Sequence, residues 1–178
     1  TEEVDVLGLV LDHWAKVGLK AHLRTSQRTL FRRRAAAGET LISSFYGLSN
    51  ALPAASMNPH ELAPTSGAQL QWPKWGQRHE SMNKAGELID LPEAARQLAL
   101  YREWLAADSD ARRGTVWAQM LENYTDQVFS IGTVNGTRQP VVVSARLRNV
   151  PDEGLYAWEP TANFGVYRPD TFYFVQAR

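Results

Sequence analysis

Apolar residues in the first 45 positions recur with spacings that switch between helical and extended. One stripe has the spacing of a helical face and ends before Gly18; its members are Val6, Leu7, Val10, Leu11, Trp14 and Val17. Residues 19–24 then alternate as a half-buried strand does. Ser26 can cap a second helix that runs through Ala37, and residues 40–45 predict a second short strand. The order helix, strand, helix, strand predicts an α/β fold with parallel strands.

Periodicity fades between residues 46 and 91, where prolines and glycines are frequent. Loops of this length are uncommon in compact domains unless they are functional or disordered. Trp72 and Trp75 lie inside the stretch, and aromatic side chains argue against disorder. We therefore expect an irregular loop over residues 46–91 that has a function.

Two further helices are predicted in the second half of the chain. Pro92 suits the first turn of one, and Asp108 or Ser109 can cap the other. Apolar residues recur at helical spacing in both, at Leu98, Tyr101, Trp104 and Leu105 and then at Val116, Trp117, Met120, Leu121 and Tyr124. We expect the tryptophans on helix faces, Trp14, Trp104 and Trp117, to lie in the core.

The last third of the chain has the signals of short strands. Residues 128–134 and 140–144 flank Asn135-Gly136, a dipeptide that favours the tight turn of a β-hairpin. The run Phe172-Tyr173-Phe174-Val175 predicts a final strand.

Composition narrows the class of protein. The 178 residues include 44% apolar ones, which is enough for one globular domain. The 19 basic and 19 acidic side chains balance, which argues against a dedicated nucleic-acid binder. No apolar run is long enough to span a membrane, and without cysteine there can be no disulfide or thiolate nucleophile. Because a helical pattern is running within a few residues of Thr1, we expect a piece of a longer protein from which any targeting segment has been removed.

Motifs for catalysis or metal binding are incomplete. His60-Glu61 and His79-Glu80 begin like the zinc motif HExxH, but its second histidine is replaced by Pro64 and Asn83. We therefore expect no metal, no cofactor and no enzymatic activity. The basic cluster Arg32-Arg33-Arg34 fits a solvated helix face first, and a contact with a partner or an acidic ligand second.

Three regions together resemble one known family. Residues 11–23, LDHWAKVGLKAHL, have the form of a helix that leads into a strand, and residues 45–53 read FYGLSNALP. The third region comprises residues 131–134, 140–143 and 147–151, IGTV, PVVV and LRNVP. In order and spacing these strings resemble the C-terminal part of the peptide/nickel-type extracellular solute-binding proteins, family 5 of the bacterial periplasmic receptors.

The resemblance implies one lobe of a type-II periplasmic-binding-protein-like, two-lobe fold. Residues 1–178 would form a single α/β domain with a mixed sheet flanked by helices, a C-terminal hairpin and return segments. The implied function is the substrate-binding component of an ABC importer in the periplasm. Such a protein captures a small solute, of the oligopeptide class or related, between its lobes and delivers it to the permease subunits. The implied partners are that ligand and the permease, without nucleic acid or membrane insertion, and the protein is expected to be a monomer.

One departure from the family affects the expected ligand. Peptide-binding members have Trp-x-x-Asp where this chain has Tyr46 and Ser49, followed by Asn50, and that Asp pairs with the amino terminus of the peptide. A hydroxyl cannot neutralise a buried ammonium, so a sugar, an opine-like compound or a peptide held by its backbone fits better. We expect Tyr46, Ser49 and Asn50 to face the ligand, with Trp72 and Trp75 behind them. Both tryptophans also fit a second interpretation, as core anchors of the loop.

Two other functions are also compatible with the sequence. The same lobe could sense a ligand for a transcriptional regulator, in which case a helix-turn-helix would precede it. An α/β enzyme of unrecognised type is the third hypothesis.

Overall fold

The structure is a computed structural model that describes residues 2–45, 47, 57–133, 140–154 and 169–176. Helices dominate these residues, and the elements in chain order are α1 Glu2–Lys16, α2 Arg28–Ala36, a 3-10 helix His60–Leu62, α3 Pro73–Glu80, α4 Pro92–Ala106, α5 Asp110–Asp126, β1 Leu147–Arg148, a 3-10 helix Pro169–Thr171 and β2 Tyr173–Phe174. None of the helices in the described part of the chain is long and apolar enough to cross a membrane.

The two strands pair with each other in a small antiparallel sheet. Leu147 lies opposite Phe174, and Arg148 lies opposite Tyr173. β2 confirms the final strand predicted at residues 172–175. Its partner belongs to the string LRNVP, whose sequence pattern did not predict a strand.

Two predicted strands are absent. Residues 19–24 and 40–45 contain no strand, and Leu41 is 96% exposed. Helices and a sheet are both present, as a broad α/β class requires, but the expected mixed sheet flanked by helices is not found among the described residues. The prediction was wrong because alternating side chains form a strand only where a neighbouring strand satisfies the backbone.

The strands predicted on either side of Asn135-Gly136 are also not found. Residues 128–133 and 140–144 contain no strand, and the turn itself lies outside the described residues. Val128 follows α5 with a φ of 50°, a left-handed conformation that is rare for a β-branched residue. The run of residues 128–133 is therefore not extended at its first residue.

The helical hairpin of α4 and α5 begins as its sequence predicts. Pro92 occupies the first turn of α4. Ser109 caps α5, because its Oγ accepts a hydrogen bond from the backbone N–H of Arg112 at 3.3 Å. For α2 the prediction was less accurate: the N-cap is Gln27 rather than Ser26, and no side chain caps the helix.

The core lies between α4, α5 and the 3-10 turn before α3. Its buried members are Leu62, Ala63, Leu98, Leu100, Tyr101, Trp104, Val116, Trp117, Met120 and Tyr124. Trp104 and Trp117 are therefore in the core, as expected. Trp14 is only partly buried, and so is the rest of its apolar stripe, in which Val6 is 44% and Val17 76% exposed.

Two buried amide side chains join α4 to α5. Gln97 Nε2 donates to the carbonyl oxygen of Met120 at 3.0 Å, and Asn123 Nδ2 donates to that of Glu93 at 3.1 Å. Both side chains are inaccessible or nearly so. The hairpin is thus joined by directional polar contacts as well as by apolar packing.

The stretch that was predicted to be an irregular loop, residues 46–91, contains α3 and a 3-10 helix among its described residues. The Glu80 carboxylate accepts hydrogen bonds from Gly67 N at 3.0 Å and Ser66 Oγ at 3.3 Å. Gly76 packs directly against the same segment, since a Cβ there would lie 2.2 Å from the carbonyl oxygen of Ser66. Contacts between side chains and backbone produce no periodic pattern of apolar residues. For this reason the apolar pattern did not predict α3.

Candidate functional site

A groove of about 330 Å³ lies between the end of α2 and the start of α3. The residues that line it are Ala35, Gly38, Thr40, Leu41, Leu70, Gln71, Trp72, Pro73 and Phe129. No side chain in this described lining is titratable. The groove is exposed on one side, since Leu41 is almost fully accessible. It can therefore offer neutral hydrogen-bonding groups and aromatic surface to a small molecule.

Trp72 occupies a strained backbone position at the groove. Its φ of 59° and ψ of 38° are left-handed, which is an outlier for a bulky residue. The indole ring lies edge-on to Phe129, with centroids 4.8 Å apart, and edge-on to Tyr124 at 6.3 Å. Trp72 is thus packed against the core and lines the groove at the same time, so its two sequence interpretations are compatible.

Trp75 stands one turn along α3 and stacks on Trp72 with centroids 6.4 Å apart. It is half-buried and lies outside the groove lining. Of the predicted pair, only Trp72 therefore contributes directly to the groove, and Trp75 supports it.

Gln71 is held by two hydrogen bonds. Its Oε1 accepts from the hydroxyl of Tyr124 at 2.8 Å, and its Nε2 donates to the carbonyl oxygen of Phe129 at 3.1 Å. Burial raises the pKa of Tyr124 above its ordinary value, the hydrogen bond with Ser130 lowers it, and Glu61 adds a smaller increase. The phenol therefore remains a hydrogen-bond donor at neutral pH, and the amide of Gln71 is fixed before any ligand arrives.

Arg32 joins two parts of the chain that lead to predicted site residues. Its guanidinium carbon lies 5.2 Å from the centroid of the Phe45 ring, and its Nη1 donates to the carbonyl oxygen of Ala68 at 3.4 Å. Phe45 directly precedes Tyr46, and Ala68 comes four residues before Trp72. The basic cluster therefore includes one structural arginine, whereas Arg33 is exposed.

Tyr46, Ser49 and Asn50, the predicted ligand-facing residues, lie outside the described residues. The pattern missed Thr40 and Gln71, because neither belongs to a motif and each is recognised only from the groove that it lines. Their one sequence signal is proximity: Thr40 is six positions before Tyr46, and Gln71 directly precedes Trp72.

The histidines do not form a metal centre among the described residues, where no group of three or more His, Asp and Glu side chains could hold an ion. His79 lies edge-on to Tyr101 with ring centroids 6.3 Å apart. Burial lowers the pKa of His79 below 6.5, Arg102 lowers it further, and Glu80 acts in the opposite direction.

No family model matches the chain, and no curated protein matches it significantly.

Proposed function

We propose that this chain is the solute-binding lobe of a two-lobed receptor that supplies an ABC importer. The receptor captures a small solute, of the oligopeptide class or related, and passes it to the membrane permease without chemical change. Its place of action is the periplasm. The proposal combines the resemblance of the three sequence regions to solute-binding proteins with the groove beside Trp72.

The observation that carries the proposal is that two described segments line the same groove, residues 40–41 and residues 70–73. Arg32 holds the chain beside both of them, because its guanidinium contacts the Phe45 ring and the carbonyl oxygen of Ala68. These segments are far apart in sequence. Bringing them to one groove is what a binding site assembled from separate loops requires.

The dimensions of the groove are compatible with half of such a site. Its volume of about 330 Å³ is at the lower end of small-molecule pockets, which bury most of a ligand's surface. One wall is open, so a ligand here would keep one face in water. Closure of a second lobe about a hinge would bury that face, and this supports the two-lobed arrangement.

The test compares the full-length product of the gene with the 178-residue chain. Calorimetry and intrinsic tryptophan fluorescence are measured with short peptides, sugars and opines. We expect the full-length protein to bind at least one of these solutes and the 178-residue chain to bind it at least roughly tenfold more weakly. Equal affinity of the two proteins would refute the two-lobe arrangement, and no binding by the full-length protein would refute the function.

A matched pair of leucine variants connects binding to the groove. Leu41→Asp places a charge in the groove, whereas Leu105→Asp places one on an exposed part of α4 that does not line it; the two leucines are 96% and 54% exposed. We expect only Leu41→Asp to weaken binding. If both variants bind like the wild type, the groove is not the site.

Ser49 makes a separate prediction about peptide ligands. Because a hydroxyl cannot neutralise an ammonium, a peptide should bind as well after its amino terminus is acetylated. Tight binding of free peptides that acetylation abolishes would show that the amino terminus is anchored after all.

A further inference from the structure

The side chain of Gln71 has unused hydrogen-bonding capacity at the groove. An amide oxygen can accept two hydrogen bonds, and an amide NH₂ group can donate two. Tyr124 and Phe129 use one of each, at 2.8 and 3.1 Å. One lone pair and one N–H therefore remain on a planar group that two hydrogen bonds hold in place. Preorganisation of this kind reduces the entropy lost when a ligand is bound.

The residues that line the groove favour an uncharged partner. The groove lining includes Thr40, aromatic and aliphatic side chains, and no residue with a carboxylate, ammonium or guanidinium group. A charged ligand group buried here would lose its hydration without an opposite charge among the lining residues. A neutral group would lose much less and could pair with the free donor and acceptor of Gln71.

We infer that the groove recognises an uncharged ligand group that carries both a hydrogen-bond donor and an acceptor, and that Gln71 determines this specificity. A peptide amide has this arrangement, and so do the vicinal hydroxyls of a sugar. The inference rests on the proposed solute-binding function and specifies the ligand class of the same site.

The ligand arm of the test uses the full-length wild-type protein and three probes. They are acetyl-Ala-Ala-amide, the zwitterion Ala-Ala and methyl α-glucoside, titrated by calorimetry or ligand-observed NMR. We expect one of the two neutral probes to bind, and Ala-Ala to bind at least about tenfold more weakly than that probe. Which neutral probe binds distinguishes the peptide amide from the sugar.

The protein arm uses two substitutions of Gln71. Gln71→Met keeps the length of the side chain and removes its donors and acceptors. The neutral probe that binds the wild type should therefore bind this variant at least about tenfold more weakly. Gln71→Glu keeps the acceptors and adds a negative charge, so the preference for the neutral probe over Ala-Ala should decrease. Gln127→Met, at the exposed end of α5, is the matched control and should bind like the wild type. A purely structural role for Gln71 would change thermal stability without changing this preference.

The outcomes separate this inference from the proposed function. Tighter binding of Ala-Ala than of both neutral probes would overturn the inference and leave solute binding intact, and so would binding that Gln71→Met does not weaken. If the wild type binds only charged solutes, the inference is overturned and solute binding is again left intact. If no peptide, sugar or opine binds the full-length protein, the proposed function fails and the inference fails with it. The comparison of probes on the wild type holds even if a Gln71 variant does not fold.

Discussion

At the scale of single residues, the segment before α3 depends on glycine where the backbone comes closest. Gly76 lies inside α3 and is buried against Ser66, whose backbone would collide with a Cβ. Helical sequence preference disfavours glycine at such a position. The residue is there because of packing between two segments, which explains why the pattern of apolar residues did not predict α3.

Gly76→Ala should therefore destabilise the protein by about 3 kcal/mol, because either backbone must move to admit the methyl group. Gly8→Ala is the matched control, since nothing lies within 4 Å of a Cβ at that position of α1. It should stabilise the helix by about 0.5–1 kcal/mol, as alanine does at an unobstructed helical site. Urea unfolding measures both, and two changes of the same sign would contradict the close approach at Gly76.

At the scale of elements, the α4–α5 hairpin agrees with its sequence more closely than any other part of the fold. Both helices have apolar residues at helical spacing, a defined start and a buried face. The two helices pack on each other and are consecutive in the chain, so the local pattern and the tertiary packing favour the same structure. At α2 the local signal and the structure differ, because Ser26 precedes the N-cap and makes no capping bond.

Two serine substitutions distinguish these helix starts. Ser109→Ala removes the bond to Arg112 N and should lower the free energy of unfolding by about 1 kcal/mol. Ser26→Ala removes a hydroxyl that caps nothing in this structure and should leave stability unchanged. Chemical denaturation followed by circular dichroism provides the measurement. A comparable loss in Ser26→Ala would show that this serine does cap α2.

At the scale of the whole molecule, His79 makes folding depend on pH. Its pKa is lowered below 6.5 chiefly by burial. The imidazole therefore binds a proton less readily in the folded protein than in the unfolded chain, where its pKa is about 6.5. Protonation therefore favours the unfolded state, and stability decreases as the pH falls below about 6.5.

Replacing His79 tests this dependence. His79→Gln should flatten the decrease in stability between about pH 7 and 5, because its amide does not titrate in that range. Thermal melts of the wild type and the variant at a series of pH values measure the difference. A variant whose stability falls as steeply as that of the wild type would assign the acid sensitivity to other groups.

The pattern of apolar residues determined the features that depend on neighbours in the chain. It predicted both helices of the hairpin, the core positions of Trp104 and Trp117, and the final strand, and the sequence offered Ser109 as one of two candidate caps of α5. These predictions were correct because helical spacing and capping residues act over one or two turns and depend little on distant parts of the chain. The resemblance of three strings to solute-binding proteins likewise depends on the sequence alone.

Only the tertiary structure decided features that depend on contacts between distant segments. Residues 19–24 and 40–45 alternate like strands but form none, because no strand of the described residues lies beside them to satisfy their backbone. The groove likewise joins Thr40 to Gln71, and Gln71 is held by Tyr124 and Phe129 more than 50 residues later. Such pairings leave no period in the sequence, since each partner satisfies a hydrogen bond or fills a space that exists only after the chain has folded.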